Sequence, residues 1–148
     1  MLLIKRALFI SLYLVSQGPD YIGEIMSAKD VLKFIKDKEA EFVDLRFTDP
    51  RGKLQHLTMD CTAVDEGMLN DGVFFDGSSI AGWKAINESD MILKPDLSRF
   101  FLDPFTSHNT VVLFCDILDA IKKTPYERDP RGVAKKAEEY LKKSGIGD

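Results

Sequence analysis

The chain has 148 residues, 45% hydrophobic and 30% charged, a composition ordinary for a soluble globular domain and a length that can bury its own core. Asp and Glu number 24 against 20 Lys and Arg, giving a net charge of -4; no basic face stands out, which argues against a nucleic-acid partner, since phosphate binding needs clustered cations. Cys61 and Cys115 sit in no CxxC pair, which removes a zinc motif, and a reduced cytoplasmic protein is a simpler reading than a disulfide-bonded one.

Met1 to Val15 places Lys5 and Arg6 before an apolar stretch from Ala7 to Val15. It resembles a short secretory signal, but it is too short to span a bilayer and no small-x-small cleavage pattern follows. Met26 stands directly before a well-capped helix and offers an alternative start. Residues 1–25 are therefore set apart from the fold as a leader, either signal-like or an upstream start. Ser27 and Asp30 form a capping-box pattern that predicts a helix to Glu39. Val31, Leu32, Phe34 and Ile35 supply its apolar stripe.

From Glu41 to Thr48 the chain alternates, with Val43, Leu45 and Phe47 on one face and Asp44, Arg46 and Thr48 on the other, as in a half-buried strand. Asp49-Pro50-Arg51-Gly52 is turn chemistry, so Leu54 to Met59 returns as the second strand of a hairpin. A short helix is expected over Asp65 to Asn70, then a strand over Val73 to Phe75. A Gly- and Ser-rich loop follows, Asp76 to Asn87. Met91 to Lys94 reads as a strand ended by Pro95. Thr110 to Ile117, with VVLF at its centre, is the strongest strand pattern, and places Cys115 in the core as a small hydrophobe. Asp129 and Pro130 open a last helix, with Val133, Ala134, Ala137, Tyr140 and Leu141 as its buried face and Gly145 as its stop. The pattern is α+β.

The stretch Phe75-Asp76-Gly77-Ser78-Ser79 holds the densest chemistry. A carboxylate at a strand end can bind a cation or accept a proton, Gly77 lets backbone approach a ligand, and the two hydroxyls can orient the carboxylate. The same residues also make an ordinary Asx turn. Trp83 can line a pocket or fold onto its own core. Glu88, Ser89 and Asp90 form a second acidic group. His56 and His108 have no partner at metal-ligand spacing and read as structural or surface residues. No Walker loop and no GxGxxG appear. The charges of Tyr126 to Arg131 are expected to cap the following helix and pair across a surface.

Taken together, FVDLRFTDPRGKLQH, FDGSSIAGWKAINESDM, the CDIL run and YERDPRGVAKKAEEYL resemble bacterial-type (type I) glutamine synthetase, in the family's own order and from about Met26 to Asp148. The resemblance implies a β-grasp fold: a mixed sheet crossed by a helix, spanning residues 26–128. Residues 129–148 would then form the first helix of the following catalytic domain. It also implies ATP-dependent joining of ammonia to glutamate through γ-glutamyl phosphate, with ATP and Mg2+ or Mn2+ serving the complete enzyme and none bound by this chain alone. In the family this domain abuts the catalytic domain of a neighbouring subunit in a ring. By motif match, Asp76 takes the role of ammonium binding and deprotonation. Ser79 shapes the loop, Asp90 matches an acidic residue near the ammonium site, and Trp83 matches a tryptophan beside the neighbour's nucleotide.

The family's next motif, G-P-E-x-E-F, is expected shortly after the final GIGD, and with it the metal carboxylates and the arginines for glutamate and phosphate. Phosphoryl transfer depends on such charge stabilisation, so the 148 residues alone are expected to be inactive. The alternative is a non-catalytic β-grasp module that associates with, and regulates, a full-length synthetase. A secreted protein is a third reading, resting on the leader. No nucleic-acid or membrane partner is expected.

Overall fold

The structure, a computed structural model, describes residues 26–80 and 90–145. The leader and Trp83 lie outside the described residues. The first helix, α1 (Ala28–Asp37), opens on the expected capping box. The Ser27 N–H donates to Asp30 Oδ2 at 2.8 Å, and the Asp30 N–H donates back to Ser27 Oγ at 3.4 Å. The hairpin follows as β1 (Phe42–Thr48) and β2 (Leu54–Asp60). Its turn is tied by Asp49, whose Oδ1 accepts the N–H groups of Arg51 and Lys53, both at 2.9 Å. Next come α2 (Glu66–Asp71), capped by Asp65, and β3 (Val73–Asp76). The long strands β4 (Asp90–Leu102) and β5 (Thr110–Asp119) complete the sheet, and α3 (Pro130–Ser144) ends the described chain.

The five strands form one mixed sheet in the order β2-β1-β5-β4-β3. β1 and β5 are parallel; the other neighbours are antiparallel. One face carries the core. Val43, Leu45 and Phe47 of β1, Met91 and Leu93 of β4, and Val111, Leu113, Cys115 and Ile117 of β5 are all buried there. Val31 and Ile35 of α1 and Leu69 of α2 close over them. Here period 2 in the strands meets period 3.6 in the helices, and the expected inward faces of β1 and α1 hold.

Two expectations need correction. The strand at Met91 does not end at Pro95; β4 runs on to Leu102. Pro95 lies opposite Cys115 where the register slips, between Pro95 and Phe100. A residue with no N–H to give fits a ladder at such an irregularity, and the slip carries the inward face from odd positions to Phe100, which is buried. The second correction concerns α3. Its apolar residues are not a buried face: Val133, Tyr140 and Leu141 are 54%, 67% and 45% exposed, and no residue of the helix is buried. Helical spacing correctly marks the stripe, but no described residue covers it.

Candidate functional site

The site begins at the close approach of β3 to β4. Gly72 adopts φ +87°, and a Cβ there would lie 2.5 Å from the Leu93 carbonyl oxygen and 2.6 Å from Ile92 Cγ2. Only a residue without a side chain lets α2 turn into β3 at this distance. Lys94 ties the same corner, its ammonium donating to the carbonyls of Asn70 and Leu69 at the end of α2. Phe75 points inward and meets the Phe47 ring, centroids 5.5 Å apart. Alternation then turns Asp76 outward, where it is exposed.

Asp76 ends β3 and caps the single 3₁₀ turn Gly77–Ser79, its Oδ1 accepting the Ser78 N–H at 2.9 Å. The Ile80 N–H returns to the Gly77 carbonyl at 3.0 Å. In the β3–β4 ladder, Asp76 stands directly opposite Asp90, the first residue of β4 and also exposed. Two of the sequence-predicted site residues are thus brought together from positions 14 apart. Ser79 belongs to the same turn by its backbone. Trp83, predicted for the same site, lies outside the described residues.

Side chains directly opposite in an antiparallel pair have Cβ atoms roughly 5 Å apart, and like charges there repel. A cation between the two carboxylates relieves that repulsion, and either carboxylate can accept a proton from it. Among the described residues, no group of three or more His, Cys, Asp or Glu could hold a metal ion.

A second polar constellation was not foreseen. On the opposite face of β1, buried Asp44 accepts hydrogen bonds from Arg46 Nε at 2.7 Å and Thr58 Oγ1 at 2.7 Å, and lies 2.8 Å from His56 Nδ1. Arg46 also reaches the buried Asp103. Burial pushes the Asp44 carboxyl up, but the hydrogen bonds from His56, Thr58 and Arg46 outweigh it and hold the group below its usual range. The hairpin turn contained the signal: it pairs Asp44 with Thr58 and Arg46 with His56. His108 likewise lies 3.2 Å from both oxygens of Glu41. Both histidines are largely exposed and each faces a carboxylate, in keeping with structural or surface residues. Both cysteines are free, and burial, with the charge of Asp116 beside it, pushes the Cys115 thiol up to about 12.

A five-stranded mixed sheet with helices closed over one face, ending its edge strand in an acidic turn, is an α+β domain of the β-grasp kind. The family model for the glutamine synthetase β-grasp domain matches residues 39–120. The chain is 65% identical to glutamine synthetase of Rhizobium meliloti over 122 residues and 51% identical to that of Vibrio cholerae over 123. These alignments cover 82% and 83% of this chain but 26% of each relative. The cryo-EM structure of Plasmodium falciparum glutamine synthetase superposes with a TM-score of 0.72 at 26% identity, covering 83% of this chain and 24% of that one. The chain belongs to the glutamine synthetase family, and it spans about a quarter of the length of the curated relatives it matches.

Proposed function

We propose that this chain supplies the ammonium-site wall of a glutamine synthetase, which joins ammonia to glutamate at the expense of ATP. The observation that carries the reading is the opposition of Asp76 and Asp90 at the exposed end of the β3–β4 ladder. Ammonium is a cation and cannot attack while protonated. Paired carboxylates draw it in, and Asp76 accepts one proton from it. The ammonia released attacks the γ-carbonyl carbon of γ-glutamyl phosphate; the C–O bond to phosphate breaks as the C–N bond forms, and the surplus N–H proton leaves with the phosphate. ATP supplies the activation of the glutamate carboxylate.

In this reading Ser79 shapes the loop that carries Asp76, and Trp83 lies beside the nucleotide of a neighbouring subunit. Residues 26–128 form the domain, residues 129–148 begin the catalytic domain, and residues 1–25 are a leader. Glutamate, ATP and Mg2+ or Mn2+ are held by residues beyond these 148, in a ring of subunits, and the protein works in the cytoplasm. Among the described residues, no helix is long and apolar enough to cross a membrane.

The test is a chimera in which this chain replaces the matching segment of the Rhizobium meliloti enzyme, to which it is 65% identical. The chimera is expected to form glutamine, whereas the 148 residues alone form none. In the chimera, Asp76→Asn is expected to lower kcat/KM for ammonium by about 100-fold with little change in KM for glutamate. An assembled Asp76→Asn chimera with normal ammonium dependence would remove Asp76 from the reaction. Turnover by the 148 residues alone would refute their expected inactivity.

A further inference from the structure

We propose that Lys94 is a positioning residue for the carboxylate pair: from β4 it pins the end of α2, and so sets the register in which β3 brings Asp76 opposite Asp90. The inference rests on the reading of that pair as the ammonium site. β3 is a four-residue strand at the edge of the sheet and, among the described residues, pairs with β4 alone. So short a ladder fixes its own register weakly, and here the register decides the site. A slip of one residue would turn Asp76 to the other face, and a slip of two would take it away from Asp90. Gly72 lets the chain enter β3 close to Leu93, but a residue without a side chain permits the approach and does not fasten it.

The fastening comes from Lys94. The pairing of β3 begins at Val73 opposite Leu93, so Lys94 is the β4 residue just beyond that ladder. There its ammonium donates to the Asn70 carbonyl and, at 3.4 Å, to the Leu69 carbonyl. The last carbonyls of a helix have no partner within it, and a lysine is a favourable cap for them. The preceding carbonyl, of Met68, takes the Gly72 N–H at 2.8 Å. The cross-strand partner of Lys94 is already engaged. Lys94 stands opposite Asp116 in the β4–β5 ladder, but Asp116 Oδ1 accepts from Arg131 Nε at 2.8 Å and Oδ2 from Lys135 Nζ at 2.6 Å. Arg131 also reaches Asp96. With Asp116 so engaged, Lys94 turns to α2. Its charge does not act on the pair directly: four residues of extended strand put it about 13 Å from Asp90, beyond a screening length of about 8 Å at physiological salt. It acts through the placement of β3.

The experiment has two readouts. In the full chain, hydrogen exchange of the β3 amides is compared among the parent, Lys94→Met and Lys94→Arg. Exchange is expected to be about tenfold faster in Lys94→Met, with α1, β1 and β5 unchanged, and near the parent rate in Lys94→Arg, which keeps the donors. Parent-like exchange in Lys94→Met would overturn the proposal. So would faster exchange throughout the sheet, because Lys94 would then serve general stability. In the chimera with the Rhizobium meliloti enzyme, Lys94→Met is expected to raise KM for ammonium about fivefold with KM for glutamate unchanged, and Lys94→Arg to restore it. An unmoved KM for ammonium, with Asp76→Asn impaired as expected, would remove the positioning role. If Asp76→Asn is silent as well, the ammonium-site reading falls and takes the functional role of Lys94 with it, while the exchange data still decide the pin itself.

Discussion

Gly72→Ala tests the joint that places Asp76. At φ +87° and ψ −177° Gly72 occupies backbone space that L side chains essentially do not use. A Cβ would also press on the Leu93 carbonyl at 2.5 Å and on Ile92 Cγ2 at 2.6 Å. The backbone contribution is about 1–3 kcal/mol, and the overlap adds about 1–3 kcal/mol, because the Leu93 carbonyl belongs to a central ladder and cannot swing aside. A total of about 2–5 kcal/mol is a large part of the 5–15 kcal/mol that holds a typical domain. Gly52→Ala is the control. It too has a positive φ, +82°, but nothing lies within 4 Å of its Cβ, so only the backbone contribution of about 1 kcal/mol applies. Urea unfolding followed by circular dichroism reads both. With a slope of about 1–3 kcal/mol per M, Gly72→Ala is expected to lower the midpoint by roughly 1–2 M and Gly52→Ala by well under 1 M. Equal midpoints for the two variants would refute the close approach of β3 to β4.

Asp44→Asn is expected to cost about 2 kcal/mol at neutral pH, the scale of hydrogen bonds to a buried charge. The carboxyl is held below its ordinary value of 3.8 in the folded protein. Its contribution is therefore complete above that value and lost as pH falls through the lowered one. Urea midpoints against pH should show a steeper acid limb in the parent than in Asp44→Asn, and parallel limbs would exclude Asp44 as its cause. Thiol titration distinguishes the cysteines. With the Cys115 thiol near 12, only about one part in 10⁴ is thiolate at pH 8, and the group is buried besides. A disulfide reagent is expected to modify Cys61 in the native protein and Cys115 only after denaturation; two thiols reacting together in native buffer would contradict the buried position on β5.

Much of this architecture is local and so can be read along the chain. The capping box of α1, the alternation of β1 and the hairpin turn at Asp49 each rest on residues within a few positions of one another, where steric and hydrogen-bond preferences act without help from the rest of the fold. The strand at Thr110 declares itself by apolar content alone. Pro95 misleads for the complementary reason. A proline ordinarily breaks a ladder, and only the partner strand's register reveals an irregularity that accommodates it. The apolar stripe of α3 is real as a pattern, but periodicity tells which residues share a face and not whether anything covers that face.

The same division runs through the site. Asp76, with its Gly and Ser neighbours, is recognisable as a polar turn from sequence, and the family pattern marks Asp90 as well. Their direct opposition depends on the register of β3 on β4, which Gly72 permits through a contact with Leu93, 21 positions further along. The Arg46 and Arg131 networks likewise join residues 57 and 35 apart. Sequence by itself determined where most elements start, the inward faces of α1 and β1, and the family, because those follow from short-range chemistry and shared motifs. Only the tertiary structure decided which charges meet, because a charge pair is defined by distance in space, and strand order and register set that distance.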